Sequence, residues 1–163
     1  MKGGKAQKPL VIFEVSCYDF PMQKNKKRFS ATDKKTVIAA IARELHEHPE
    51  ILFAYLHGSF LPGEVFGDID VAVYLAEPPA SSVEYELDLE LALNRAVPGF
   101  PVDVRLLNGA PLSFQFRVVK EGLPIVVRDE IGRADFQERT FKMYFDFAPF
   151  RKRYLQEVFR LAI

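Results

Sequence analysis

Tryptophan is absent, and cysteine occurs once, at Cys17, in a chain of 163 residues. A single thiol cannot close an intramolecular disulfide, which fits a reducing compartment. Charge of one sign is not in excess either, since 22 Lys and Arg balance 22 Asp and Glu. A broad nucleic-acid surface draws its affinity from clustered cations, so none is expected. No apolar run approaches the ~20 residues of a membrane span. Residues 9–20 are apolar but carry Glu14 and Asp19 and lack a small-residue cleavage site, so they do not read as a signal peptide. The cytoplasm is therefore the expected location. Histidine is scarce too. His46 and His48 stand two apart on a helical pattern and face different ways, so with Cys17 they make a poor zinc site.

What is present suits one globular domain. Hydrophobic residues make up 48% of the chain and charged residues 27%, enough for a real core. Residues 1–29 read as an N-terminal extension, flexible at its start, with the basic run 24–28 near its end. Residues 30–163 read as the domain.

The periodicity predicts a helix over 30–48, opened by Ser30 and Asp33 and ended by Pro49, with Val37, Ile41 and Leu45 on one face. A strand follows at 51–57, then a loop with three glycines and a proline, then a strand at 68–75. Residues 84–91 alternate acidic and apolar as a strand would. Their length and the later Leu93 and Ala96 favour a helix over 83–97, with its acidic face solvated. A strand at 102–107, a short helix closed by Gly122 and a strand at 124–129 come next. Residues 133–163 read as helical with a break or kink at Pro149. This order gives a mixed α/β domain.

Two carboxylates, Asp68 and Asp70, stand at the mouth of the 68–75 strand. Strand side chains alternate, so both point the same way, about 7 Å apart along the strand. Charges at a buried strand mouth are unfavourable unless something pairs with them. Carboxylates suit Mg²⁺, which shares its coordination with substrate phosphates. Asp103 repeats the anomaly within Val102, Val104 and Leu106, placed to orient or deprotonate a hydroxyl. In the loop before the pair, Gly58 lets backbone approach a ligand, and the Ser59 hydroxyl and loop amides can hold phosphate oxygens. Ser59 has no His–Asp relay beside it, so it reads as a phosphate binder and not a nucleophile. His57 adjoins the motif and reads as packed or nucleotide-contacting.

Residues 57–75 followed by 102–108 resemble the minimal nucleotidyltransferase (MNT) domain of the DNA polymerase β superfamily, with its h-G-S, D-x-D and later Asp. The resemblance implies a polymerase β-like nucleotidyltransferase fold, of α/β (α+β) class, in which a small mixed sheet is backed by helices. It implies Gly58 and Ser59 as nucleotide-binding residues, and Asp68, Asp70 and Asp103 as the catalytic and metal-binding carboxylates for Mg²⁺ with ATP as substrate. Domains of this size are similar to antitoxins of HEPN/MNT toxin–antitoxin pairs. There the antitoxin transfers AMP from ATP to a tyrosine of its HEPN ribonuclease toxin, which would be the partner. The chain departs from the pattern at Phe60, Leu61 and Pro62, where many members carry an Arg, and Arg105 is a candidate to compensate.

Two other functions compete. One is transfer to a small hydroxylated molecule, against which counts the short chain left after the last strand. The other is a catalytically weak module that neutralises its partner by contact. The aromatics of the last segment (Phe136, Phe141, Tyr144, Phe145, Phe147, Phe150, Tyr154 and Phe159), rimmed by Arg and Lys, serve either as a partner-binding face or as internal core.

Overall fold

The computed structural model describes residues 27–28, 31–62 and 65–159. Helix α1 (Ala31–His46) presents Val37, Ile41 and Leu45 at four-residue steps and buries all three. Strand β2 (Ile51–His57) is almost wholly apolar because it is central, with neighbours on both edges and helices on both faces. A single 3-10 turn (Gly58–Phe60) leads to the two-residue strand β3 (Val65–Phe66). This pairs with β1 (Lys27–Arg28), and the rest of the 1–29 segment lies outside the described residues.

Strand β4 (Ile69–Leu75), helix α2 (Ser82–Ala96) and strand β5 (Val102–Leu106) form a β–α–β unit. Helix α3 (Leu112–Glu121), strand β6 (Leu123–Val127) and helix α4 (Glu130–Phe159) complete the chain. The main sheet has the order β5-β4-β2-β6. β4 and β5 are parallel and the other pairings antiparallel, so the sheet is small and mixed, with helices on both faces.

One face carries Ile69, Val71 and Val73 under α1 and α2. The other carries Phe53, Tyr55 and Ala72 against Val118 and Val119 of α3 and Phe136 of α4. A register irregularity between Ile51 and Phe53 puts Ile51 on the first face and Phe53 on the second.

The alternating segment 84–91 is helical, and its acidic residues are not simply solvated. Glu86, Glu90 and Asn94 recur every four residues and so form one stripe of α2. Leu106, Val104 and Val102 donate their backbone N–H groups to them, at 2.8, 3.0 and 3.1 Å. The open edge of β5 is thereby closed by side chains.

Gly122 ends α3 with φ −77°, so left-handed geometry is not why glycine stands there. A Cβ would come within 2.4 Å of the Val118 carbonyl oxygen and 3.0 Å of that of Leu56, so close approach is the reason. Asp129 opens α4 by accepting the Gly132 N–H at 2.9 Å. Arg133 ties that helix to the sheet by donating to the Tyr55 hydroxyl at 3.1 Å. Of the expected break or kink at Pro149 the break is not found: α4 runs through it, without the bond a missing N–H would have made. Among the described residues no helix is long and apolar enough to cross a membrane.

Candidate active site

A cavity of about 910 Å³ opens at the end of β2, β4 and β5. Its floor follows from strand register. His57, Asp70 and Asp103 are successive partners across β2, β4 and β5, and all three line the cavity. They stand on the face that also carries Tyr55 and Ala72, so the carboxylates point toward α3 and not into the α1–α2 core. Its upper rim is Gly58, Ser59, Leu61 and Pro62, and Phe114, Arg117 and Glu121 of α3 form the opposite wall.

The rim is built tightly onto the floor. Gly58 has φ +76°, which an L side chain rarely adopts, and a Cβ there would lie 2.0 Å from the Asp70 Oδ2. Glycine is therefore required twice, by conformation and by the carboxylate packed against it. Phe60 is wholly buried among the side chains of the α1–α2 face. Lys34 of α1 donates to the carbonyls of Phe60 and Leu61 at 2.6 and 3.2 Å. The hydrophobic residue at 60 is thus an anchor that fixes the loop's course.

Charge in the cavity is unevenly matched. Arg105 lies 3.4 Å from Asp103 and donates to Glu86 at 3.1 Å. The Asp103 charge, followed by Glu86, raises the Arg105 pKa against the opposing effect of burial. This guanidinium is committed to structure as well as lining the cavity. His57 is pushed down to about 4, chiefly by burial and further by Arg117, with Asp103 opposing. The imidazole is therefore neutral at pH 7. Its Nε2 is buried and has no hydrogen-bond partner among the described residues.

Of the residues expected to form the site, Gly58, Ser59, Asp70 and Asp103 come together around one cavity. Asp68 stands at the residue before β4 and is not among the cavity's lining residues. Among the described residues, no group of three His, Cys, Asp or Glu stands ready to hold a metal ion. The donor set still fits Mg²⁺ in the manner that ion prefers, one or two carboxylates with substrate phosphates completing the shell. Asp70 and Asp103 supply those carboxylates side by side, beneath a loop whose glycine packs against the Asp70 carboxylate.

Sequence reasoning missed the α3 wall. Phe114, Arg117 and Glu121 follow the i, i+3, i+7 spacing of one helical face. That stripe is visible in the sequence, but nothing in it tells which element it faces. The terminal aromatics divide. Phe136 is buried, and Tyr144 stacks on Phe116 with centroids 3.7 Å apart, while Phe145, Phe147, Phe150 and Tyr154 are exposed.

Comparison with known proteins agrees with this fold. The family model "Polymerase beta, Nucleotidyltransferase" matches residues 39–131, more than half of the chain. No curated protein matches. A chain of the tri-AMPylated Shewanella oneidensis HEPN toxin in complex with MNT antitoxin superposes with a TM-score of 0.64 at 23% identity, covering 77% of this chain and 98% of that one. A chain from the crystal structure of a toxin–antitoxin with AMP-PNP gives 0.65 at 24% identity, covering 75% and 98%. A chain of a MntA–HepT toxin–antitoxin structure gives 0.63 at 23%, covering 77% and 98%. At these identities the likeness is one of fold, and the family match carries the assignment: the chain belongs to the polymerase β nucleotidyltransferase family.

Proposed function

We propose that the chain is a Mg²⁺-dependent nucleotidyltransferase that moves AMP from ATP to a hydroxyl, that of a tyrosine, on a partner HEPN toxin, and so acts as its antitoxin. The observation that carries this reading is the register pairing of Asp70 with Asp103 beneath Gly58 and Ser59, at a cavity large enough for a nucleotide. The antitoxin role draws on the toxin–antitoxin complexes with which the fold aligns.

In this reading Asp70 and Asp103, with Asp68 at the strand mouth, would hold Mg²⁺, which when bound neutralises phosphate charge. Ser59 and the loop amides hold phosphate oxygens, and Gly58 lets the loop lie close over Asp70. Asp103 orients the acceptor hydroxyl and takes its proton. The acceptor oxygen attacks the α-phosphorus, the new O–P bond forms, the α–β bridging bond breaks and pyrophosphate leaves.

A second reading, a module that neutralises by contact alone, is favoured by one observation: Asp68 does not line the cavity. Calorimetric titration of ATP with Mg²⁺ into the wild type and Asp70→Asn separates the two. Binding that is lost in the variant supports the transferase, and AMP transfer to a HEPN protein encoded beside it, read as a mass increase on a tyrosine, completes the case. Absence of binding in both proteins sinks it in favour of contact alone.

A further inference from the structure

The geometry points to Arg117 of α3 as the side chain that grips the nucleotide's phosphate tail, with His57 beside it as a hydrogen-bonding group. This rests on the nucleotidyltransferase reading above and names a residue for it.

A polyphosphate needs cation charge close to it, and the cavity offers two guanidinium groups, Arg105 and Arg117. The loop cannot contribute, since Ser59, Phe60, Leu61 and Pro62 are neutral. Arg105 is already held by Asp103 and Glu86. The Arg117 side chain forms no hydrogen bond or ion pair with another described residue. The acid one turn along its own helix, Glu121, is instead 3.8 Å from Lys120. Arg117 and His57 line the same cavity, and Phe114, one turn before Arg117 on α3, lies against the His57 ring, so the two groups share one corner of it.

The same corner holds the buried His57 Nε2 without a partner among the described residues. A buried polar atom left unsatisfied is unfavourable until something supplies a hydrogen bond. A phosphate or ribose oxygen lying between Arg117 and His57 would satisfy both. The Phe114 ring meets the His57 ring edge-on, with centroids 5.4 Å apart, and fixes the imidazole's orientation. Arg117 itself is exposed at the cavity wall, so replacing it should leave the fold intact.

The test is calorimetry of ATP with Mg²⁺ on the full chain at several KCl concentrations, with Arg117→Gln, Arg117→Lys and Asp70→Asn alongside the wild type. Losing a charge-assisted contact should weaken ATP binding in Arg117→Gln by about ten- to a hundredfold and flatten its salt dependence. Arg117→Lys should recover part of the affinity and most of the salt dependence, because it restores the charge without the fork. The proposal is overturned if Arg117→Gln binds as the wild type does. It is also overturned if Gln and Lys weaken binding equally with salt dependence unchanged, the mark of a structural effect. Failure of the underlying reading looks different: the wild type fails to bind, or Asp70→Asn binds undiminished.

Discussion

Gly58→Ala should damage this protein in two separable ways. An alanine at φ +76° is strained by about 1–2 kcal/mol in the left-handed region. Its Cβ would also stand 2.0 Å from the Asp70 Oδ2 and 2.9 Å from Cγ, where ordinary contact begins at 3.4 Å. The carboxylate must retreat by about 1.4 Å, and forced overpacking of this kind costs roughly 1–3 kcal/mol. Together these give about 2–5 kcal/mol, which for a chain of this size lowers Tm by roughly 4–20 °C.

The two parts can be measured apart. Asp70→Ala removes Oδ2 and Cγ and leaves Cβ, at 3.4 Å, as the nearest atom. In that background Gly58→Ala should lose only the backbone part, about 1–2 kcal/mol. Urea unfolding of the four proteins in EDTA closes the cycle, and the coupling between the sites should be about 1–3 kcal/mol. The same stability loss in both backgrounds would refute the packing of Asp70 against Gly58. No loss in the wild-type background would refute the strained turn as well.

Asp70→Asn should remove Mg²⁺-dependent ATP binding yet leave metal-free Tm unchanged or up to about 3 °C higher, because like charges facing across strands are relieved; a clear fall in EDTA would mean a structural carboxylate. Glu86→Ala strips acceptors from the Leu106 N–H and Arg105 and should cost about 1–3 kcal/mol in urea unfolding; an unchanged midpoint would show that water replaces the cap. His57 has its pKa lowered from 6.5 to about 4 by burial, so below pH 6.5 the unfolded chain gains a proton that the folded chain refuses until near pH 4. Stability should therefore fall as pH drops through that window and be untouched above it. The full shift corresponds to about 3 kcal/mol, reduced to roughly 1–2 for a ring at an open, screened cavity. His57→Phe should flatten that fall in metal-free urea titrations at pH 7 and 4.5, and a variant tracking the wild type would exclude His57 as its source.

Strands β2, β4 and β5 can be read from the sequence because each is a short apolar run bounded by turn residues, and a lone carboxylate inside such a run is conspicuous. Asp70 and Asp103 are thus legible as anomalies, but the sequence pairs Asp70 with Asp68, and only the register shows Asp103 opposite Asp70 with Asp68 outside the cavity lining. Arg117 is not, because a helical stripe acquires meaning only when sheet topology decides what it covers. Phe60 misleads in the other direction. Set against the family pattern it marks only the absence of a loop cation, and nothing in the sequence shows that its side chain also fills the core beneath α1. Pro149 shows how context overrides a local rule: the end of α4 is largely exposed, so the carbonyl left without its helical donor can be hydrated. The exposed aromatics of α4 are ambiguous in the sequence because periodicity gives a face and not its neighbour.

The acidic alternation of residues 84–91 ties stability to chemistry most closely. The carboxylates meet only while β5 keeps its register on β4, with Asp103 opposite Asp70. A slip of one residue would turn Asp103 toward the α1–α2 core and bring Val102 or Val104 to the cavity floor. Among the described residues β5 is an edge strand of five residues, with β4 as its one strand neighbour, so backbone pairing alone holds it weakly. Glu86, Glu90 and Asn94 bind successive outward N–H groups of that strand at the spacing of helical turns. Helix α2 therefore acts as a ruler laid along β5. Its direct link to the cavity lining is the bond from Arg105 to Glu86, yet the whole stripe fixes where Asp103 stands on the cavity floor. Loss of any one cap should accordingly disturb nucleotide binding as well as stability, through the register of a strand end.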